Sequence, residues 1–424
     1  MSERGPRAGR HRRSRLHHGV AAVGLVVVGV LSLTSCAPTT SVTFQGHGWG
    51  HGRGMGQWGD YGYAVDYGKG WQWILDHYYG GTVLRTRTQP PNPDQRVWMR
   101  ANSGHELIVE QPRAHMTVGG VASSAAAVRV ERVDDTHWRV YDGASCAGPW
   151  TARGALVIGP ELVVAPTTPG NDQLEMLRLC EPGGRRLLRG ALIAVHVGSG
   201  VETVNRVSTE DMIRSVIARE VSPSWGDAGG GKGFQALMAQ AVAARSYASA
   251  GDTRWGSWAT TCDGGSCQTY SGVGYLPSGG SWLIYEDPRT DWAVGATASM
   301  VRVFPGNGRI AATEFAASTG GYTKGPTFTP VVDDGDATAA NPNHSWSVTI
   351  PVATIQSRFS ADQGRDLGTF VAIDVLQRDG HGADGGRPTS VRVRFSGGDV
   401  TVTGVGLQQI LGLKSDWFTP TANA

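Results

Sequence analysis

Apolar and polar positions repeat with two different periods along this chain, and the change of period divides it. From Ser208, the run S-T-E-D-M-I-R-S-V-I-A-R-E-V-S-P sets Met212, Ile213, Val216 and Ile217 at helical spacing. Ser208 with Asp211 three residues on makes a capping-box-like start, and Glu210 and Asp211 suit the positive end of a helix. Pro223 stops that helix, and residues 222–232 form a glycine-bearing loop. A second helix is expected over Phe234–Ala250, where alanines at 236, 239, 241, 243, 244, 248 and 250 allow close packing. Between 96 and 201 the period shortens to two, with strands at 97–99, 106–109, 128–130, 138–141 and 191–197. Residues 71–79 read as a short helix stopped by Gly80 and Gly81. Strands are also expected at 42–45, 390–395 and 400–402, and residues 407–418 as a short helix and exit.

Glu220 is the position where this pattern turns into chemistry. It falls three after Ile217 and four after Val216, on the apolar stripe and away from Arg214 and Arg219. A carboxyl group on an apolar face loses hydration as an anion, which favours the protonated form, ready to donate. On the second helix, Gln240 and Arg245 interrupt the apolar run. Arg245 is either an inward substrate contact or a structural ion pair.

Charge separates the first residues from the rest. The net charge of +2 conceals arginines 4, 7, 10, 12, 13 and 15 against Glu3; without that stretch 32 Lys and Arg face 35 Asp and Glu. A nearly neutral body argues against a nucleic-acid partner. The basic start leads into the apolar run 20–33, too short to span a membrane comfortably, and then into L-T-S-C ending at Cys36. That ending resembles a bacterial lipobox, so residues 1–36 are expected to be a lipoprotein-type signal and Cys36 the lipidated residue. The expected place is extracytoplasmic, a membrane-anchored lipoprotein at the cell envelope. An oxidising compartment suits the four remaining cysteines, paired most simply by proximity, Cys146 with Cys180 and Cys262 with Cys267. The short gap between the latter two also permits half a zinc site, but no histidine lies near to complete it.

Just after the leader comes G-H-G-W-G-H-G-R-G-M-G-Q-W-G, residues 46–59, with seven glycines in fourteen positions. Such a run is expected to be a loop rather than a helix, with a backbone able to approach another surface closely. It carries His47, His51, Arg53, Gln57 and the rings of Trp49 and Trp58, the equipment of a binding loop for a sugar. The four-residue spacing of His47 and His51 would align metal ligands only on a helix, so neither a metal nor a cofactor is expected. Prolines 90, 91 and 93 mark a linker, and F-A-A-S-T-G-G-Y-T from Phe315 reads as a strand entering a polar turn.

Several of these motifs together resemble the SpoIID/LytB family of bacterial cell-wall proteins. S-V-I-A-R-E-V-S-P-S-W resembles the family's helix around its essential glutamate, and A-L-M-A-Q-A-V-A-A-R-S-Y-A its signature. C-Q-T-Y-S-G, S-T-G-G-Y-T, G-L-K-S-D-W-F and the glycine-histidine loop extend the likeness. The order differs: in the family that loop follows the segment reading G-L-K-S-D-W-F here, whereas in this chain it comes first. The resemblance thus implies a circular permutation, with old ends joined through residues 89–94 and residues 42–46 lying beside 413–418. The fold it implies is α+β. A SpoIID-like catalytic core at 202–418 is completed by the permuted segment 41–85, a linker covers 86–95, and a β-rich subdomain occupies 96–201.

The activity implied is that of a lytic transglycosylase cutting the MurNAc–GlcNAc bond of peptidoglycan glycan strands. Glu220 would serve as general acid and base, leaving 1,6-anhydro-MurNAc ends. Substrate contacts would come from His47, His51, Arg53, Gln57, Arg245, Ser318, Gly320 and Gly321. The alternative is a non-catalytic wall-binding protein of the LytB kind, with a separate amidase as its partner. Some family members hold zinc near paired cysteines, which would make a zinc hydrolase; the absent histidine favours a disulfide.

Overall fold

Val42 and Phe44 alternate with polar residues along β1 (Ser41–His47), and both are buried. The computed structural model describes residues 39–88, 93–251, 255–264 and 267–423. In it β1 is the middle strand of a three-stranded antiparallel sheet, between Ser345–Pro351 and Phe418–Asn423. Gly46 pairs with Phe418, the His47 N–H donates to the Trp417 carbonyl at 3.0 Å, and the Phe44 and Phe418 rings meet edge-on at 5.7 Å. Residues 42–46 therefore lie beside the C-terminal strand, the neighbourhood that the reordered motifs require. Of the expected join at 89–94, residues 89–92 lie outside the described residues, as does Cys36.

Val42 and Phe44 share a core with Ile355 and Phe359 of the helix Val352–Gln363, with Val391 and Val393, and with Leu407 and Leu411. The terminal helix differs from expectation. It spans Gly404–Leu411, capped by the Thr403 hydroxyl and ended by Gly412 at φ 64°, and the chain then re-enters the sheet as a strand. The T-P-T run at residues 419–421 hides that strand, because it is held by its partners more than by its own apolar side chains.

The larger core gathers the helices around two sheets. α1 (Gln57–Val65) and α2 (Trp71–Tyr78) pack with α3 (Thr209–Glu220) and the helix Phe234–Ala250. Ser208 caps α3 as its sequence suggests, its hydroxyl accepting the Asp211 N–H at 3.2 Å. The strand feeding α3, Gly200–Ser208, pairs with Ala191–Val197 on one side and Asp94–Trp98 on the other. It belongs to a seven-stranded sheet, so hydrogen bonding runs unbroken from the β-rich residues into the start of α3. Disulfides link Cys146 to Cys180 and Cys262 to Cys267.

α1 corrects the reading of residues 46–59 as loop throughout, since Gln57, Trp58 and Gly59 are helical. Its glycines serve close approach. A Cβ on Gly59 would sit 2.1 Å from the Tyr78 hydroxyl, and one on Gly62 would sit 2.0 Å from the Gly335 carbonyl oxygen. Tertiary packing here overrides the poor helix propensity of glycine, worth about 1 kcal/mol. Gly62→Val should therefore destabilise the fold by roughly 2 kcal/mol through backbone overlap, read as a lowered denaturation midpoint; an unchanged midpoint would contradict the packing.

Where α1 meets residues 333–336, three carboxyl groups are buried together. Both Asp60 oxygens lack a hydrogen-bond partner among the described residues, and burial pushes this acid well above the usual carboxylate range. Burial, then the neighbouring Asp336, raise Asp333 to about 7, although its oxygens accept from Tyr78 and Thr319. A folded pKa raised above the unfolded one adds stability that is complete below about pH 4 and lost as the pH climbs through 7. Denaturant unfolding across that range should show Asp333→Asn with a flatter loss of stability than the parent. Parallel profiles would remove Asp333 as the cause.

Candidate active site

The glycine-histidine run is stitched to two distant segments before it reaches α1. Trp49 exchanges backbone hydrogen bonds with Ser318, Gly50 N–H donates to the Lys414 carbonyl at 2.9 Å, and Met55 N–H to that of Glu314 at 3.1 Å. Gly54 has φ +66°, and a Cβ there would sit 2.0 Å from the Glu314 carbonyl oxygen, so the approach demands glycine.

This stitching carries three of the expected contacts to Glu220. Glu220 is the last residue of α3, and its carboxyl opens into a cavity of about 300 Å³. One oxygen accepts the Thr269 backbone N–H at 2.7 Å; the other lies 3.4 Å from the Gln57 side-chain nitrogen. His51 and Arg53 line the same cavity, together with Tyr247, Thr269 and Glu314. Glu220 is half-buried rather than enclosed, which corrects the dry environment expected for it. The stripe places its Cβ on the apolar side, but α3 stops there, Val221 turns extended, and the carboxyl passes the end of the core.

Arg53 directs Nε and Nη2 to one Glu314 oxygen at 2.9 and 2.7 Å, and this pairing raises its pKa further. Burial, helped by the adjacent Arg53 charge, lowers His51 to about 4, so it is a neutral imidazole at neutral pH. Its Nδ1 accepts the Arg53 backbone N–H at 3.0 Å. His51 thus holds the loop that presents Arg53.

The remaining expected contacts lie elsewhere. Arg245 is 2% exposed and grips both oxygens of Glu210 at 2.9 and 2.8 Å, the structural ion pair of the two readings left open. Ser318 and Gly320 do form a cradle for a carboxylate, but it holds Asp336. The Ser318 hydroxyl and the Thr319 and Gly320 N–H groups donate to that side chain at 2.8–3.0 Å. Gly321 closes the same turn, its N–H 3.3 Å from the Thr319 hydroxyl. His47 faces Asp384 at 3.3 Å, and its ring lies tilted against Trp417 at 5.0 Å. Trp58 packs against Trp225 and Tyr61, whereas Trp49 stays half-exposed under the Lys414 ammonium.

Sequence reasoning missed Thr269, Tyr247 and Glu314. Thr269 acts through its backbone, and Glu314 meets Arg53 across 261 positions, so neither leaves a local pattern.

Residues 197–304 match the model of the SpoIID family, described as stage II sporulation protein. These residues form a SpoIID-family domain. The matched stretch takes in α3, the helix Phe234–Ala250 and the Thr269 segment, and so holds Glu220 with one of its two donors. The glycine-histidine segment, which brings the other donor to this SpoIID domain, lies before it in the chain. No curated protein and no solved structure matches the chain.

Proposed function

We propose that this SpoIID-family protein has a cell-wall-related role of the sporulation type, and that it is a lytic transglycosylase of peptidoglycan glycan strands. The supporting observation is that the cavity offers one uncommitted carboxyl. Glu314 is bound to Arg53, while among the described residues Glu220 meets only a backbone N–H and an amide. Ordinary glycosidases divide the work between two carboxyl groups. A lytic transglycosylase needs one, because the sugar supplies its own nucleophile.

Glu220 gives its proton to the glycosidic oxygen as the bond from MurNAc C1 breaks and GlcNAc leaves as an alcohol. The resulting carboxylate takes the proton of the MurNAc 6-hydroxyl as that oxygen bonds to C1 and closes the 1,6-anhydro ring. Gln57 and the Thr269 N–H orient the carboxyl through both steps, and the Arg53–Glu314 pair and His51 shape the wall beside the sugar. A circular permutation of the domain belongs to the same proposal, and the pairing of β1 with the last strand supports it.

Purified full-length protein should convert peptide-free glycan strands into fragments with 1,6-anhydro ends, detected by mass spectrometry. Binding without product would instead favour the reading as a wall-binding stimulator of an amidase. Export and anchoring at Cys36 belong to the same proposal. Cells given radioactive fatty acid should label the parent protein and not Cys36→Ser; an unlabelled parent would remove the anchor.

A further inference from the structure

The residue just before Glu220 is exposed and charged. Arg219 lies with its guanidinium 4.6 Å from the Tyr285 ring centre, and no carboxylate among the described residues pairs with it. Nearby arginines are committed: Arg186 to Glu181, Arg189 to Glu286, Arg245 to Glu210, and Arg289 to Asp287. Arg219 alone of this group keeps its donors for solvent.

Tyr285 faces a second cavity, of about 310 Å³, walled also by Ser271, Tyr275, Arg186 and Glu181. No residue lines both cavities, but one segment reaches each of them, Thr269 at the Glu220 cleft and Ser271 here. Along 267–271, Gln268 and Tyr270 are buried while Cys267, Thr269 and Ser271 are half-exposed, the alternation of an extended chain. Thr269 and Ser271 thus lie on one face of the segment, the first at the Glu220 cleft and the second at the other cavity. Two residues of extended chain cover roughly 7 Å, comparable with one pyranose unit. Tyr275 stands opposite Arg186 in the sheet of the β-rich region, and the Tyr285 N–H donates to the Val273 carbonyl at 2.9 Å. The far wall thus comes from the β-rich part of the chain.

We propose that Arg219, held on Tyr285, and this second cavity form a subsite next to Glu220 for a carboxylate-bearing sugar of the glycan. A guanidinium lying on an aromatic ring keeps its planar fork for bidentate binding of a carboxylate. Within the glycan, that sugar is a muramoyl residue whose lactyl carboxylate carries no peptide. The β-rich region then has a task in substrate selection. The inference rests on the reading of the glycan as the substrate of Glu220.

The test compares kcat/KM on peptide-free strands with that on the same strands after amidation of their lactyl carboxylates. Arg219→Gln should lose about tenfold on the free carboxylates and nothing on the amidated strands, with Arg219→Lys recovering part of the loss. Equal loss on both substrates, or none on either, would overturn the subsite while leaving Glu220 as the acid. A binding arm needs no turnover: in a Glu220→Gln background, Arg219→Gln should weaken affinity for peptide-free strands about tenfold, and unchanged affinity would count against the subsite. A Glu220→Gln protein that still cleaves at the parent rate would instead remove the parent reading.

Discussion

Glu220→Gln is expected to cut glycan cleavage by about a thousandfold while leaving the fold as stable as the parent. Glutamine keeps the length of the side chain and one carbonyl oxygen for the Thr269 N–H, so the cleft retains its shape. What disappears is a proton that can be given and taken back at the same atom. No neighbour replaces it, because Glu314 is engaged by Arg53 and His51 is neutral at the cavity wall. The check pairs product release with a denaturation curve. Activity at the parent rate would exclude Glu220 as the acid; a large loss of stability would mean that the glutamate had been structural.

The second large effect is on stability. Arg245→Ala should cost about 3–5 kcal/mol, because it removes the buried guanidinium that neutralises Glu210 and leaves that carboxylate with the Ser299 N–H at 3.0 Å but without its cation. Arg245 also donates to the carbonyls of Met300 and Val294, at 3.2 and 3.3 Å, so the loss reaches three elements packed on the helix Phe234–Ala250. Activity per folded molecule should stay within about twofold, since the guanidinium does not line the Glu220 cleft. A stable Arg245→Ala protein with a raised KM would restore Arg245 as a substrate contact.

These cases show how far periodicity reaches. α3 was legible from Ser208 to Glu220 because its cap and stripe are local, and the alanine-rich helix because its small residues recur along one segment. The exposure of Glu220 was not legible, since spacing locates a Cβ and not the end of a side chain leaving a helix terminus. α1 was hidden by the glycines that let it touch Tyr78 and the far more distant Gly335, contacts that leave no local pattern. The S-T-G-G stretch was legible as a polar turn, but its occupant, Asp336, lies outside that motif. Arg53 was read as a substrate contact without its partner, for Glu314 carries no motif. Sequence order also concealed that β1 and the last strand lie side by side, which only the reordered motifs suggested.

The central claim is that Glu220 promotes attack by the sugar's own hydroxyl rather than by water. The direct measurement is cleavage of peptide-free glycan strands in heavy-oxygen water, followed by mass analysis of the new ends. The account predicts anhydro ends without heavy oxygen, made by the parent and absent with Glu220→Gln. Reducing ends that carry the heavy isotope would mean hydrolysis and would contradict it.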